Sequence, residues 1–199
     1  MLDYLVLTIW ACLAPLSIIR LVGHGFISLF RRARILSIVL YAIFWILCAV
    51  LIFLNSRLFL MGKIFGATMI TIAPGTICFV LGISLLLLGM KNIGVKTFFA
   101  VPEIISDAKG SGLVAKGLFA HVRHPIYLAE LLMVLGAFLI TSELSLIILL
   151  VAWIVIIWPV TFLEEKELSN RFGEEYKIYQ NRVPRLLPKI RLKGNEKEI

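Results

Sequence analysis

Two polar clusters flank the last two hydrophobic runs of this chain. Arg123, His124 and Tyr127 stand in the run Arg123-His124-Pro125-Ile126-Tyr127 that opens one of them, and Glu164-Glu165 closes the next. Pro125 suits a first helical turn, where the N–H it lacks would have been unpaired anyway. The remaining N–H groups of that turn and the positive end of the helix dipole favour an anion such as a carboxylate or phosphate. Carboxylates at the end of an apolar run are costly unless solvated or paired, so Glu164 and Glu165 are functional candidates. Each cluster alone has a plainer reading. Arg, His and Tyr anchor membrane interfaces, and two glutamates can form a solvated helix end. A hairpin of two membrane helices would place both clusters at one membrane face and join them into one site.

The composition requires such a setting. Of 199 residues 60% are hydrophobic, the mean hydropathy is +0.98, and soluble domains average roughly 45–50% apolar. Five runs approach the ~17–25 residues of a spanning helix: 3–22, 35–54, 67–90, 125–141 and 144–163. The expected fold is an all-α integral membrane protein of about five transmembrane helices. It divides into three N-terminal helices (1–90) and a module (91–199) with a cytoplasmic loop, a hairpin at 125–163 and an amphipathic C-terminal segment. No segment is long enough for a separate soluble fold, so chemistry must sit in loops and helix ends. The net charge of +8 is distributed by loop rather than as a nucleic-acid patch. Arg20, Arg31, Arg32 and Arg34 follow the first run, Lys91 to Arg123 precede the fourth, and the remaining Lys and Arg past the fifth contrast with only Arg57 and Lys63 in the alternate loops. The positive-inside rule then puts the N-terminus outside and both long polar segments and the C-terminus in the cytoplasm, with basic side chains touching anionic head groups.

Smaller features complete the reading. The start of the chain resembles neither a cleaved signal nor a lipoprotein signal, since Asp3 is its first charge and Trp10 lies close before Cys12. Cys12, Cys48 and Cys78 lie in apolar runs and read as small hydrophobes. A flexible turn is expected at 23–26 and a bend at Pro74-Gly75, with Gly82 and Gly89 permitting close helix packing. Gly62 and Gly66 flank a loop. The connection 91–124 is broken by glycines and Pro102, yet its Phe98, Phe99, Ile104 and Ile105 argue that it packs on something, while the tail past Pro188 is expected to fray. Leu168, Phe172, Tyr176 and Tyr179 recur at three- and four-residue steps, an apolar stripe suited to lying on the bilayer.

Taken together, the pattern RHPxY followed by EExxLxxxFGxxYxxYxxxVP resembles the integral-membrane methyltransferases related to isoprenylcysteine carboxyl methyltransferase, a group that includes phospholipid methyltransferases. It is met by Arg123, His124, Pro125, Tyr127, Glu164, Glu165, Leu168, Phe172, Gly173, Tyr176, Tyr179, Val183 and Pro184. Gly112 to Phe119 is similar to the family's approach segment, so the resemblance covers roughly 105–188. It implies S-adenosyl-L-methionine as methyl donor, held by cytoplasmic loops and helix ends. Leu113, Val114 and Phe119 would line the donor pocket, Arg123, His124, Pro125 and Tyr127 would wrap the donor, and Glu164 would be its acidic ligand. The acceptor would be lipophilic and arrive from the bilayer, most simply a prenylated cysteine carboxylate, with a phospholipid amine or a thiol as alternatives. An ammonium acceptor must first lose a proton, for which Glu165 or His124 is the candidate base.

This chain departs from the family at three places. Phe119 stands where Tyr is usual, and Ala129 replaces a small Gly. Val160 stands where isoprenylcysteine methyltransferases place an Arg for the substrate carboxylate, a role that only Arg123, Arg182 or Arg185 could take over. Glu130, inside the fourth run, would either touch a cationic acceptor, pair with a neighbouring span or snorkel to water. No GxGxxG follows a strand, so a Rossmann methyltransferase domain is unsupported. The contrasting classes are a non-enzymatic transporter subunit or scaffold, and haem ligation by His24, His121 and His124. Neither a metal nor a nucleic-acid partner is expected.

Overall fold

The computed structural model describes residues 2–25, 35–94 and 112–188. Among them the chain forms seven α-helices and one 3-10 turn. They are α1 (Leu2–Gly25), α2 (Ile35–Leu54), the short α3 (Ser56–Phe59), α4 (Met69–Ile93), the 3-10 turn Gly117–Ala120, α5 (Pro125–Thr141), α6 (Leu144–Phe172) and α7 (Glu174–Arg182). No strand occurs among the described residues beyond an isolated bridge between Lys63 and Glu143. An all-helical answer is what lipid demands, since a helix satisfies every backbone polar group internally.

Helices stand at all five expected positions. The stretches Leu36–Leu54, Met69–Ile93 and Leu144–Phe172 are long and apolar enough to cross a membrane, while Leu2–Leu16 and Pro125–Thr141 are shorter apolar helices. α5, with 17 residues, reaches about 25 Å at 1.5 Å per residue, against a hydrocarbon core of ~30 Å. Of the turn expected at 23–26, residues 23–25 continue α1 as helix, and Phe26 lies outside the described residues. Phe98, Phe99, Ile104, Ile105 and the tail past Pro188 lie outside the described residues as well.

Small residues bring α4 and α5 together. A Cβ added to Gly75 would stand 2.8 Å from Leu139 Cβ and 3.0 Å from Gly136 O, and one added to Gly82 only 2.8 Å from Ala129 O. In return, a Cβ on Gly136 would stand 2.6 Å from Gly75 O. The expectation of close packing at Gly82 and Gly89 thus extends to a stripe of three glycines seven residues apart, the spacing that keeps one helix face toward its partner. On the other flank α1 packs between α2 and the α5–α6 pair. Val6, Ile9 and Leu13 of α1 bury against Val134, Ala137, Phe138, Leu146 and Leu149, and Leu7 and Ala11 bury against Ile52 of α2.

The far end of the α5–α6 hairpin is strapped shut by the loop before α4. Ile64 N–H donates to Ser142 O, Leu144 N–H to Gly62 O, and Gly62 N–H to Glu143 Oε1 at 2.6 Å. At the near end α6 does not stop at Leu163. It carries Glu164 and Glu165 inside the helix and ends at Phe172, where Gly173 takes a positive φ of 59° that glycine adopts without penalty. The turn folds α7 back onto the protein. The expected bilayer-facing stripe is therefore an internal one: Tyr176 (1% exposed) and Tyr179 (9%) bury with Val183 against Leu113, Leu168 and Phe172.

Candidate functional site

The near end of the hairpin gathers the polar residues. The chain enters α5 alongside the segment after α7, with Arg123 N–H donating to Pro184 O at 2.9 Å and His124 N–H to Arg185 O at 3.0 Å. The Tyr179 hydroxyl donates to Phe119 O at 2.7 Å, tying α7 to the 3-10 turn. These bonds spend the two N–H groups just ahead of the helix on the protein's own chain. What α5 can offer an anion is narrowed to its first turn behind Pro125, at Ile126 and Tyr127.

Glu165 is the hub. Its Oε1 lies 2.9 Å from an Arg123 terminal nitrogen, 3.1 Å from His124 Nε2 and 3.1 Å from Arg185 Nε. Its Oε2 accepts from Arg185 at 2.7 Å and from Gln180 Nε2 at 3.0 Å. Arg123 also donates to Gln180 O at 2.7 Å, and Arg185 lies over the Trp158 ring at 5.1 Å. A two-nitrogen grip by a guanidinium is the stronger form of such a pair. The carboxylate binds the start of α5, the end of α6 and the tail after α7 into one body.

Glu164 is placed differently. Its Oε2 accepts the Tyr127 hydroxyl at 2.9 Å and stands 3.5 Å from His124 Nδ1. Its side chain is 29% exposed where that of Glu165 is 5%. His124 thus lies between two carboxylates, one on each ring nitrogen. Burial works against its imidazolium, and the facing Glu164 and Glu165 outweigh that, so its pKa is held above the ordinary value. An imidazole with an acceptor on both nitrogens satisfies both only when doubly protonated.

The structure brings together Arg123, His124, Tyr127, Glu164 and Glu165, and buries Pro125 at the first turn of α5. Leu113 joins through the Tyr176–Tyr179 cluster and Phe119 through its carbonyl, while Val114 is half-buried in the same segment. Glu130 pairs with a neighbouring helix: Arg20 of α1 reaches it at 2.7 Å and lies over the Tyr127 ring at 4.7 Å. Sequence reasoning assigned Arg20 to topology alone. Its signal was an Arg set between Ile18-Ile19 and Leu21-Val22, before the apolar run ends, with an equally isolated Glu130 to match. Gln180 was also missed, and a glutamine on a polar helix carries no such signal. Among the described residues no group of three or more His, Cys, Asp or Glu is placed to hold a metal ion.

Comparison with known proteins finds a family profile and three partial relatives. A protein of Pseudomonas deceptionensis named methanethiol S-methyltransferase is 42% identical over 77 residues, covering 37% of this chain and 28% of that protein. The cobalt-zinc-cadmium resistance protein CzcN of Cupriavidus metallidurans is 30% identical over 115 residues, 56% of this chain and 53% of its own length. The nickel-cobalt-cadmium resistance protein NccN of Alcaligenes xylosoxydans is 27% identical over 92 residues, 46% and 43% of the two chains. This chain therefore spans about half or less of the curated relatives it matches. No solved structure matches it. The family profile described as phospholipid methyltransferase matches residues 70–175, beginning inside α4, whereas the sequence motifs could be followed only from about residue 105. That match takes in a little over half of the 199 residues and both halves of the polar site, and the chain belongs to the phospholipid methyltransferase family.

Proposed function

We propose that the protein is an S-adenosyl-L-methionine-dependent methyltransferase of the membrane, with a donor site where α5 begins and α6 ends and a lipophilic acceptor entering from the bilayer. The observation that carries this is the Tyr127–Glu164 bond across the hairpin, which fixes a partly exposed carboxylate beside a buried imidazole. The residues fit such a donor: Glu164 can accept ammonium or ribose hydroxyl groups, and the first turn of α5 can receive a carboxylate. Leu113, Val114 and Phe119 supply the wall, and His124, Pro125 and Tyr127 the rest of the enclosure. When bound, the donor supplies an electrophilic methyl group. The chain's part is alignment of the nucleophile at about 3–3.5 Å, exclusion of water, and removal of a proton where the acceptor carries one. His124 is the base we assign. It acts from the singly protonated form that leaves one ring nitrogen open, which its raised pKa makes available only as pH rises through that value. Glu165, spent on Arg123, His124, Gln180 and Arg185, serves to hold His124 in place and not as a second base.

The acceptor reading follows from the cations. Arg20, Arg123 and Arg185 each face a glutamate already, and Val160 is buried where a carboxylate-binding Arg would stand. A prenylated cysteine carboxylate would have to displace one of these glutamates or reach out to the exposed Arg182 of α7, whereas a lipophilic thiol or an amine needs no guanidinium. We favour the thiol, and the methanethiol S-methyltransferase similarity supports that choice. The arrangement in the membrane is five spans with the N-terminus outside and the site and C-terminus cytoplasmic. The 91–199 module carries the donor-binding residues, with α4 as their packed support.

Purified protein in detergent, given methyl-labelled donor and separately an alkyl thiol, phosphatidylethanolamine vesicles or a prenylated cysteine, is expected to label the thiol first. Labelling of the amine or carboxylate alone would overturn the acceptor choice. Folded protein that binds no donor and tolerates Tyr127→Ala and Glu164→Gln would favour a transporter subunit or scaffold.

A further inference from the structure

We infer that Arg20, delivered by α1 from outside the family-matched segment, is a positioning residue for methyl transfer; this rests on the methyltransferase reading above. One guanidinium makes three contacts at once. Its edge meets Glu130 Oε2 at 2.7 Å, and its central carbon lies 4.7 Å from the centroid of the Tyr127 ring and 6.0 Å from that of Trp153. Tyr127 and Trp153 themselves meet edge to face, 6.3 Å between centroids, and both bury with Ile157 and Val160. The ring under Arg20 is the one whose hydroxyl holds Glu164. The contacts therefore form a line from Glu130 through Arg20 and Tyr127 to Glu164 and His124, crossing from α5 to α1, back to α5 and on to α6.

A purely structural role does not explain why these groups are charged. Ion pairs between apolar helices lose hydration that packed apolar side chains would never have to give up, and ionisable groups at such positions mark functional sites by default. A flat guanidinium does what an apolar side chain cannot: it lies against the phenol face while its edge is fixed by a carboxylate. Arg20 thereby sets the plane of Tyr127 and, through its hydroxyl, the place of Glu164. Glu130 sets Arg20.

Two variants separate this from simple support of the fold. Arg20→Lys keeps a charge for Glu130 but lacks the flat face. The double variant Arg20→Leu with Glu130→Leu removes both charges and leaves neither stranded. Both are expected to melt cooperatively in detergent and to lose about tenfold or more in donor affinity or kcat, as misplacement of an aligning group does. In a Tyr127→Phe background, Arg20→Lys is expected to add little further loss, because the hydroxyl through which it acts is gone. Unchanged donor affinity and kcat in both variants, with only the melting temperature moved, would reduce Arg20 to a structural residue. Wild-type protein that binds no donor sinks the methyltransferase reading and this inference with it, so the two failures are told apart.

Discussion

The two ends of the α5–α6 hairpin both bury a glutamate and treat it in opposite ways. At the far end Glu143, 5% exposed, takes a backbone N–H from Gly62, and the turn beside it is closed by two further main-chain bonds to the same loop. At the near end Glu165 is held by side chains from four positions, and its neighbour Glu164 keeps part of its surface open. Main-chain donors close a corner. Converging side chains of both charges, beside a carboxylate left partly exposed, make a place where something else can bind. Burial of an acid alone does not mark a site in this molecule; the kind of partner it has does.

The contrast can be broken in several ways. The largest effect is expected from Glu165→Ala, which strands Arg123 and Arg185; loss of one member of a buried pair costs about 3–5 kcal/mol, read from thermal unfolding, and methyl transfer should vanish. Glu164→Gln keeps an oxygen for the Tyr127 hydroxyl, so unfolding should move less than with Glu165→Ala, while donor binding weakens by about 1.5–3 kcal/mol, the worth of a hydrogen bond to a charged group. Donor titration checks this, and equal affinity would remove Glu164 from the site. Gly136→Ala tests the packing behind both ends: its Cβ would meet Gly75 O and Phe79 N at 2.6 Å, and overpacking of this kind costs about 1–3 kcal/mol. The pH response sharpens the comparison further. Because His124 has a raised pKa in the folded protein, its stabilisation is complete below the ordinary histidine value and is lost as pH rises through the raised one. Melting temperatures should fall across that window, and His124→Asn should flatten the fall. Smallest of all is Glu143→Gln, whose amide oxygen still accepts from Gly62. A change below about 1 kcal/mol and normal activity are expected.

Much of this was legible in the residues. The apolar runs gave the helices, with 125–141 recovered at both ends, because lipid leaves a helix few alternatives. RHPxY and the paired glutamates named both halves of the near-end cluster, since helix starts and ends put their side chains at fixed heights. What was not legible depended on partners far apart in the chain. The stripe at Leu168, Phe172, Tyr176 and Tyr179 has the same periodicity whether it faces lipid or protein, and only the reversal at Gly173 decides between them. The separate duties of Glu164 and Glu165 follow from a rotation of about 100° per residue along α6, which turns one toward Tyr127 and the other toward Arg123 and Arg185. Arg20 escaped notice because a basic residue near a membrane edge already has an explanation.

The glycine stripe of α4 has a consequence for traffic through the bilayer. Where Gly75 and Gly136 meet, the two backbones are in contact, and at Gly82 the main chain of Ala129 is equally near. An acyl chain cannot part helices that touch main chain to main chain without lifting one off the other along its whole length. That flank is a sealed wall, and an acceptor reaching the proposed site from the bilayer would have to enter on another side of α5.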